Sequence, residues 1–458
     1  MIPTAYTLAL GARLLSEAND LKRTPKSLAE ELEIPLSRIQ AAIEGKLQPA
    51  EFFDLFEAVA KRYPISFNRL WMEPTDTEAG VLHMTAAESV ASSRIFMRPD
   101  RERHLTPYYE YRDTATSRSS PFRPEWIRQL RIVQDADPLN PDVAFNKGHF
   151  LHQTTLLIGP VNFYWEVNGK RHAIEMNTGD SNYITPFWPH SFASRDASKP
   201  AFIIAVTYGG EVSRAREELA RIGASVFPSL TLDLRREAAA YAELLRRHLD
   251  YEAITAQRFA DLCSKRGLDT LRIASCLDGR AVPSAGEISM MADILRVMPR
   301  DLMPPVRSSV GEEVVVLRRA EAEAFAYPDD ADPCYEITRL ARLRQQPYLK
   351  SFLLRVLPGR KGIEWRVLLH QYLYNYGEVE VRLIARSGDH ERLVLLAPGD
   401  SAYVAPMTAC RFEVAGGRPG EIYLVRVPGD LHADAVFELS GMAPNSVTRA
   451  AAETTSWF

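Results

Sequence analysis

The chain repeats itself, and the repeat narrows what it can fold into. His152-Gln153 through Gly159 is paralleled by His370-Gln371-Tyr372-Leu373-Tyr374-Asn375-Tyr376-Gly377. Thr178-Gly179-Asp180-Ser181-Asn182-Tyr183-Ile184-Thr185-Pro186 is paralleled by Pro398-Gly399-Asp400-Ser401-Ala402-Tyr403-Val404-Ala405-Pro406. Upstream of each lies a helical echo: Leu28-Ala29-Glu30-Glu31-Leu32 with Ile39 to Gly45, and Phe259-Ala260-Asp261-Leu262 with Leu271 to Gly279. Parts that recur in the same order mark a duplicated unit. The expected class is α+β, a tandem duplication of a helical module followed by a β-barrel. The boundaries follow as 1–75 (helical), 76–230 (first barrel), 231–310 (second helical module) and 311–458 (second barrel, ending in a surface tail from Gly441 to Phe458).

Strand patterns in the first barrel bring chemistry together. Within Gly148 to Pro160 a β-branched, apolar run predicts a strand that ends at Gly-Pro. On a regular strand His149, Leu151 and Gln153 share one face and His152 takes the other. Val161 to Trp165 and His172 to Met176 read as a hairpin around Asn168-Gly169, the expected two-residue connection. Gly179-Asp180-Ser181 turns the chain into a strand, Asn182 to Ile184, and the loop Pro186-Phe187-Trp188-Pro189 then delivers His190. A small barrel brings such separated segments to one mouth, so Asn146-Lys147-Gly148-His149 and His190 read as parts of a mononuclear iron site. Imidazole suits Fe(II), and three facial protein ligands leave positions open for substrate and O2. From spacing alone the plainer alternative stays open, histidines hydrogen-bonded for structure.

The same motifs carry a family resemblance. Asn146-Lys147-Gly148-His149 is similar to the first conserved motif of cupins, and Gly179-Asp180-Ser181 with Pro186 and Pro189-His190 to the second. With the helical lead and an altered second barrel, the chain from about Ser16 to Phe412 resembles the 2-hydroxyethylphosphonate dioxygenase and methylphosphonate synthase family of non-haem iron oxygenases. The resemblance implies Fe(II) as cofactor and cleavage of the carbon–carbon bond of 2-hydroxyethylphosphonate with O2. It also implies two branches: dioxygenases carry a glutamate six residues before the second histidine, where this chain has Ile184, and synthases use a glutamine four residues after the first, here Gln153. The implied metal ligands are His149, Gln153 and His190, and the implied products methylphosphonate and CO2, with hydroxymethylphosphonate and formate as the alternative outcome. A neutral amide leaves the iron one charge more positive, which an anionic phosphonate offsets on binding.

The family pattern further implies that Arg103, Tyr111 and Asn146 bind the phosphonate, and that Tyr111 also takes a catalytic role. Arginine suits an anion because its planar fork donates two parallel hydrogen bonds. Arg101 and Arg112 compete for that role. Lys22, with Lys26 as a weaker candidate, is implied to reach the site of a neighbouring subunit for binding and catalysis, which requires a homo-oligomer.

The second copy lacks the ligands. Cys410 stands where His190 does and Val367 where His149 does, so only Gln371 survives and the second barrel is expected to be metal-free and structural.

Ser27 to Ile39 also resembles the helix-turn-helix of bacterial repressors, which opens a rival function as a transcription regulator. Helical periodicity runs over Leu14 to Ala29 and Pro35 to Glu44, with breaks at Thr24-Pro25 and Ile34-Pro35 and Ser27 as a possible cap. Arg38 and Gln40 are flanked by Glu30, Glu31, Glu33 and Glu44, and the formal charge is -4. That argues against nucleic acid, whose binding depends on neutralising phosphates. Cys263, Cys276, Cys334 and Cys410 show neither metal-binding pairs nor a disulfide framework, and no signal pattern or membrane-length apolar run stands out; a cytoplasmic protein without a membrane partner is expected. Thr114 to Arg123 is expected to be a mobile loop at the pocket entrance.

Overall fold

The computed structural model describes residues 2–305, 313–329, 331–431 and 433–453. The chain opens with α1 (Ala5–Asp20), α2 (Pro25–Leu32), α3 (Leu36–Ile43), α4 (Pro49–Arg62) and α5 (Phe67–Leu70), packed around Leu10, Leu14, Leu28, Ile39, Phe52 and Phe56. Helix α2 is capped by Thr24, whose hydroxyl accepts from the Ser27 amide at 3.1 Å, and not by Ser27 itself. Pro25 occupies the first helical position, where its missing N–H is harmless, and this moves the cap back to Thr24.

The first barrel follows: β1 (Val81–Met84), α6 (Ala86–Ala91), β2 (Arg94–Pro99), β3 (Leu105–Asp113), β4 (Phe122–Gln129), β5 (His152–Ile158), β6 (Val161–Val167), β7 (Lys170–Met176), β8 (Ser181–Ile184), β9 (His190–Ser194) and β10 (Phe202–Tyr208). The short helices α7 (Gly210–Arg214), α8 (Arg216–Ile222) and α9 (Phe227–Leu230) lead to α10 (Glu237–Tyr251), α11 (Ala256–Lys265), α12 (Thr270–Leu277) and α13 (Ala285–Leu295). Then come β11 (Val314–Leu317), β12 (Ala324–Tyr327), β13 (Tyr335–Arg339), β14 (Lys350–Val356), β15 (His370–Asn375), β16 (Val381–Ser387), β17 (His390–Leu396), β18 (Ser401–Val404), β19 (Ala409–Glu413) and β20 (Gly420–Val427). The expected tail holds α15 (Pro444–Glu453), preceded by α14 (Ala433–Ser440), while residues 454–458 of that tail lie outside the described residues.

Mixed helix and antiparallel sheet give a cupin-like fold. Sheet β11-β8-β5-β10-β4-β3-β2 closes against β7-β6-β9, and sheet β1-β18-β15-β20-β14-β13-β12 against β17-β16-β19. The first lumen is filled from both of its sheets, by Leu157, Ile184 and Ile203 against Val161, Phe163 and Phe192. The hairpin at Asn168-Gly169 forms with φ 53° and 74°, the pair of positive values that a type I′ turn needs.

Sheet membership departs from the expected boundaries. β1, ahead of the first barrel in sequence, pairs with β18 of the second, and β11 pairs with β8 of the first. Each barrel's large sheet thus takes a four-residue strand from the other's segment. The large sheets also share one apolar core, with Phe122, Leu156, Tyr183 and Ile204 against Leu353, Tyr372, Tyr403 and Tyr423. A four-residue strand has too little apolar surface of its own to choose a partner, so proximity to an open sheet edge decides. The loop at Thr114 to Arg123 belongs to this seam. Thr114, Ala115 and Ser117 are buried, the Ala115 amide donates to Ser401 at 2.9 Å, and the Ser117 hydroxyl donates to Asp76 at 2.7 Å. The segment does border the cavities, through Ser120 to Arg123, but its first half is packed against the second barrel and the Asp76 segment rather than loose.

Candidate metal and anion site

His149 does not sit on a strand. β5 begins at His152, and His149 lies in the loop before it. Gly148 has φ 74° and rests on the backbone of Phe187; an added Cβ would lie 2.4 Å from the Phe187 carbonyl carbon. The Phe187 amide then donates to the His149 carbonyl at 2.9 Å. The loops before β5 and before β9 are clamped together in this way, and the two imidazoles meet with centroids 5.2 Å apart and planes at 85°.

Hydrogen bonds orient every polar atom of the cluster. His149 Nδ1–H donates to the Leu151 carbonyl at 2.9 Å, and His190 Nδ1–H donates to the Trp188 carbonyl at 2.9 Å. In the neutral tautomer that these bonds select, each ring presents its Nε2 lone pair, as a metal requires. Gln153 Nε2 donates to Thr155 Oγ1 at 2.9 Å, which turns its Oε1 toward His149 Nε2, 3.2 Å away. Two lone pairs aimed at the same space repel unless a cation lies between them. Asn146 Oδ1 accepts from the amides of Gly148 and His190, both at 2.9 Å, so its Nδ2 donates to His190 Nε2 at 3.0 Å. Burial holds His190 neutral by pushing its pKa down to about 4, against the raising effect of the Trp188 carbonyl. Among the described residues no three His, Cys, Asp or Glu side chains gather into a metal-binding group. Two neutral imidazole nitrogens and an amide oxygen form a donor set that fits divalent iron.

These groups open into a cavity of about 230 Å³, also lined by Arg98, Tyr111, Arg123, Glu125 and Thr207. Tyr111 and Asn146 are thus brought to the site. Arg103 is not. The chain turns at Asp100 to Arg103, with the Arg103 amide donating to the Asp100 carbonyl at 2.9 Å, and leaves Arg103 exposed at the hairpin tip. The family pattern implied Arg103 for this role; with the turn in place it is Arg98, on β2, that stands in the cavity wall. The signal was present in Pro99-Asp100, a turn pair that closes the short run Ile95-Phe96-Met97. Arg101 pairs with Asp142 outside the cavity, its Nε 3.0 Å from Oδ1. Arg112 points to the other face, 3.9 Å from the Trp126 ring centroid and 2.6 Å from Glu110. Lys22 and Lys26 are exposed on the helical segment and line neither this cavity nor its neighbour.

Sequence reasoning also missed Arg123 and Glu125, two residues apart on β4 and so on one face. Burial raises the pKa of Glu125, and of Tyr111 to about 12, so the phenol stays protonated. A second chamber of about 470 Å³ adjoins the first, sharing Arg123, His149, Leu151 and Thr207 and adding Phe150, Arg214 and Arg216.

The second barrel shows what the site is without its ligands. The Val367 carbonyl accepts from the Met407 amide at 2.8 Å, the same clamp that His149 makes with Phe187. Where Thr207 pairs with Gln153, Arg426 pairs with Gln371. Its guanidinium donates to Gln371 Oε1 at 3.2 Å and lies 4.8 Å from the Trp365 ring centroid, so cation and indole occupy the lumen.

No family model matches the chain. It is 34% identical to methylphosphonate synthase of Nitrosopumilus maritimus (strain SCM1), over 100% of this chain and 97% of that protein. It is 35% identical, with a TM-score of 0.87 and 99% of each chain covered, to Streptomyces albus HEPD solved with 2-hydroxyethylphosphonate and Fe(II) bound. A solved 2-hydroxyethylphosphonate dioxygenase at 19% identity shares the fold, with a TM-score of 0.74 over 96% of this chain and 99% of that one.

Proposed function

The chain belongs to the methylphosphonate synthase and 2-hydroxyethylphosphonate dioxygenase family, and from that membership we propose how its site works. It is a non-haem Fe(II) oxygenase acting on 2-hydroxyethylphosphonate. His149, Gln153 and His190 hold the iron, and the observation that carries this is the convergence of His149 Nε2 and Gln153 Oε1 at 3.2 Å with their other polar atoms already committed. Bound iron supplies the activation of O2 and the oxidising power for carbon–carbon cleavage. The rest falls to the chain. Arg98 and Tyr111 bind the phosphonate oxygens, the first by charge-assisted hydrogen bonds and the second through a phenol that remains a donor at neutral pH. Asn146 gives up its bond to His190 Nε2 when metal binds, and its Nδ2 is then free to donate to the substrate. Leu151, Ile127 and Phe192 line the cavity and exclude water from the cleaved bond.

The product is methylphosphonate with CO2. Ile184 lies directly opposite Gln153 in the β5–β8 register, so a carboxylate at 184 and an amide at 153 would serve the same corner of the metal. This chain has the amide and a buried isoleucine. Hydroxymethylphosphonate with formate is the second reading, because the identities to the named synthase and to Streptomyces albus HEPD are 34% and 35% and do not separate the branches. Lys22 from a neighbouring subunit completes the site in a homo-oligomer, and each helical segment with its barrel derives from one duplicated unit. Full-length relation to enzymes removes the regulator reading.

Phosphorus NMR of Fe(II)-loaded protein given 2-hydroxyethylphosphonate and then O2 decides the product. Methylphosphonate supports the amide-ligand reading. Hydroxymethylphosphonate keeps the family and overturns the branch, and unchanged substrate over iron-loaded protein overturns the activity.

A further inference from the structure

Below the metal corner the lumen of the first barrel holds polar groups that a packed core would not carry without a purpose. Gln153 Nε2 donates to Thr155 Oγ1, so the threonine hydroxyl has its own proton to pass on. Directly across the register from Thr155 stands Asn182. Asn182 is fully buried, and neither its Oδ1 nor its Nδ2 has a hydrogen-bonding partner among the described residues. It faces the lumen, because paired residues share a face and its other register partner, Val316, packs into the lumen cluster. An amide buried with both ends unmade is destabilising, and such groups recruit an ordered water.

The second barrel serves as a control within the same chain. Its register repeats the first pair for pair, Gln371 opposite Val404 and Leu373 opposite Ala402, where the first has Gln153 opposite Ile184 and Thr155 opposite Asn182. The copy whose lumen is plugged by Arg426 has an apolar pair at the two positions. The copy with two histidines has a hydroxyl and an amide.

We propose that Thr155 and Asn182, joined through one buried water, are positioning residues that aim Gln153 Oε1 at the metal. The inference rests on Gln153 being a ligand. The chain of bonds runs from Gln153 Nε2–H to Thr155 Oγ1, and from the threonine hydroxyl through the water to the Asn182 amide. The chain fixes the amide's orientation, since Thr155 accepts from Nε2 and so leaves Oε1 facing the metal corner. Partners of this kind hold a ligand in its bonding rotamer, and their loss typically lowers metal affinity or activity by about 10- to 100-fold.

The test reads metal binding rather than turnover. Co(II) is titrated anaerobically into full-length protein and its visible absorption bands recorded for the parent, Thr155→Val, Thr155→Ser, Asn182→Ala and Gln153→Ala. Thr155→Val and Asn182→Ala should weaken Co(II) binding by roughly tenfold or more and move the bands toward those of Gln153→Ala. Thr155→Ser keeps the hydroxyl and should restore the parent values. Parent affinity and spectrum in Thr155→Val would overturn the proposal, as would a Thr155→Ser variant as impaired as Thr155→Val. A Gln153→Ala variant indistinguishable from the parent would instead overturn the ligand assignment itself. Melting midpoints of the metal-free variants separate a folding defect from a lost ligand: a Thr155→Val protein that melts like the parent yet binds weakly supports the positioning role.

Discussion

Replacing Gly148 by alanine probes the clamp that assembles the site. The residue adopts φ 74°, and its missing Cβ would stand 2.4, 2.5 and 2.7 Å from the carbonyl carbon, oxygen and Cα of Phe187. All three are backbone atoms, so no side chain can rotate away. The left-handed conformation costs a non-glycine residue about 1–2 kcal/mol, and forcing extra volume into a packed contact adds about 1–3 kcal/mol. The sum is roughly 2–5 kcal/mol. Gly169 supplies the control: its φ is also 74°, but nothing lies within 4 Å of its would-be Cβ, so Gly169→Ala should cost only the conformational part, about 1–2 kcal/mol. Urea unfolding of both variants measures the difference, and a Co(II) titration measures the consequence. Prising Phe187 from His149 moves one imidazole relative to the other, so Gly148→Ala should lose metal affinity while Gly169→Ala keeps it. Equal destabilisation of the two variants, with parent metal affinity in both, would refute the claim that this contact builds the site.

The structure puts Arg98, rather than the expected Arg103, in the cavity wall. Arg98→Ala should raise the KM for 2-hydroxyethylphosphonate by roughly 10- to 100-fold, the loss of about 1.5–3 kcal/mol expected for hydrogen bonds to a charged group, whereas Arg103→Ala at the exposed hairpin tip should leave it within about twofold; the reverse order in steady-state assays would reinstate Arg103. Arg123 lines both chambers, so Arg123→Gln should lower kcat/KM by roughly tenfold at low salt and flatten its dependence on ionic strength, as expected when a steering charge is removed; a parent-like salt profile would exclude the role. His370, half-buried and accepting from the Tyr403 hydroxyl at 2.7 Å, has its pKa lowered from 6.5 to about 4 by desolvation, against the raising effect of Asp430. The unfolded chain binds this proton below pH 6.5 and the folded chain does not, so its contribution to stability is complete above 6.5 and lost as pH falls from 6.5 toward 4. His370→Gln should flatten melting temperature over that window, and an unchanged slope would count against burial as the cause.

The parts of the fold that local chemistry dictates were legible in the sequence. Asn168-Gly169 specifies its turn by the positive φ it tolerates, and Gly179-Asp180-Ser181 and Gly399-Asp400-Ser401 mark matching corners because each aspartate folds back onto backbone amides, Asp180 onto Asn177 at 2.8 Å and Asp400 onto Ala397 at 3.0 Å. His149 and Gln153 were brought together for a reason other than the one the pattern offered. Strand alternation would have placed them on one face, but a loop clamp does the work, and periodicity carries no information about a glycine seated on a distant backbone. Arg98 was missed because a turn inside a charged tract reverses the strand, and the exchange of β1 and β11 because four residues are too few to show a periodic preference. Asn182 looked like an ordinary polar position in a short strand. Only its burial, its register and its two unmade hydrogen bonds single it out, and none of these can be read along a chain.

The two barrels differ by more than the loss of histidines, and the pattern of difference bears on what the second one is for. Where the first barrel has Thr207 the second has Arg426, and where it has the polar pair Thr155–Asn182 the second has Leu373–Ala402, while the Trp365 amide is bonded to the Cys410 carbonyl as the Asn146 amide is to that of His190. Each change fills or dries the lumen, so restoring histidines at 367 and 410 alone would place ligands beside a guanidinium whose charge opposes a metal cation. The faces turned the other way kept their character: Tyr372, Tyr403 and Tyr423 are fully buried against Leu156, Tyr183 and Ile204, and both edges still trade strands. Apolar contact and strand exchange tie the β5–β8 pair, which carries Gln153 and Ile184, to the second barrel. Gln153 stands on β5, an inner strand between β8 and β10, and β11 from the second barrel's segment covers the outer side of β8 in turn, so the strand that carries the proposed amide ligand is held within the sheet rather than at its edge.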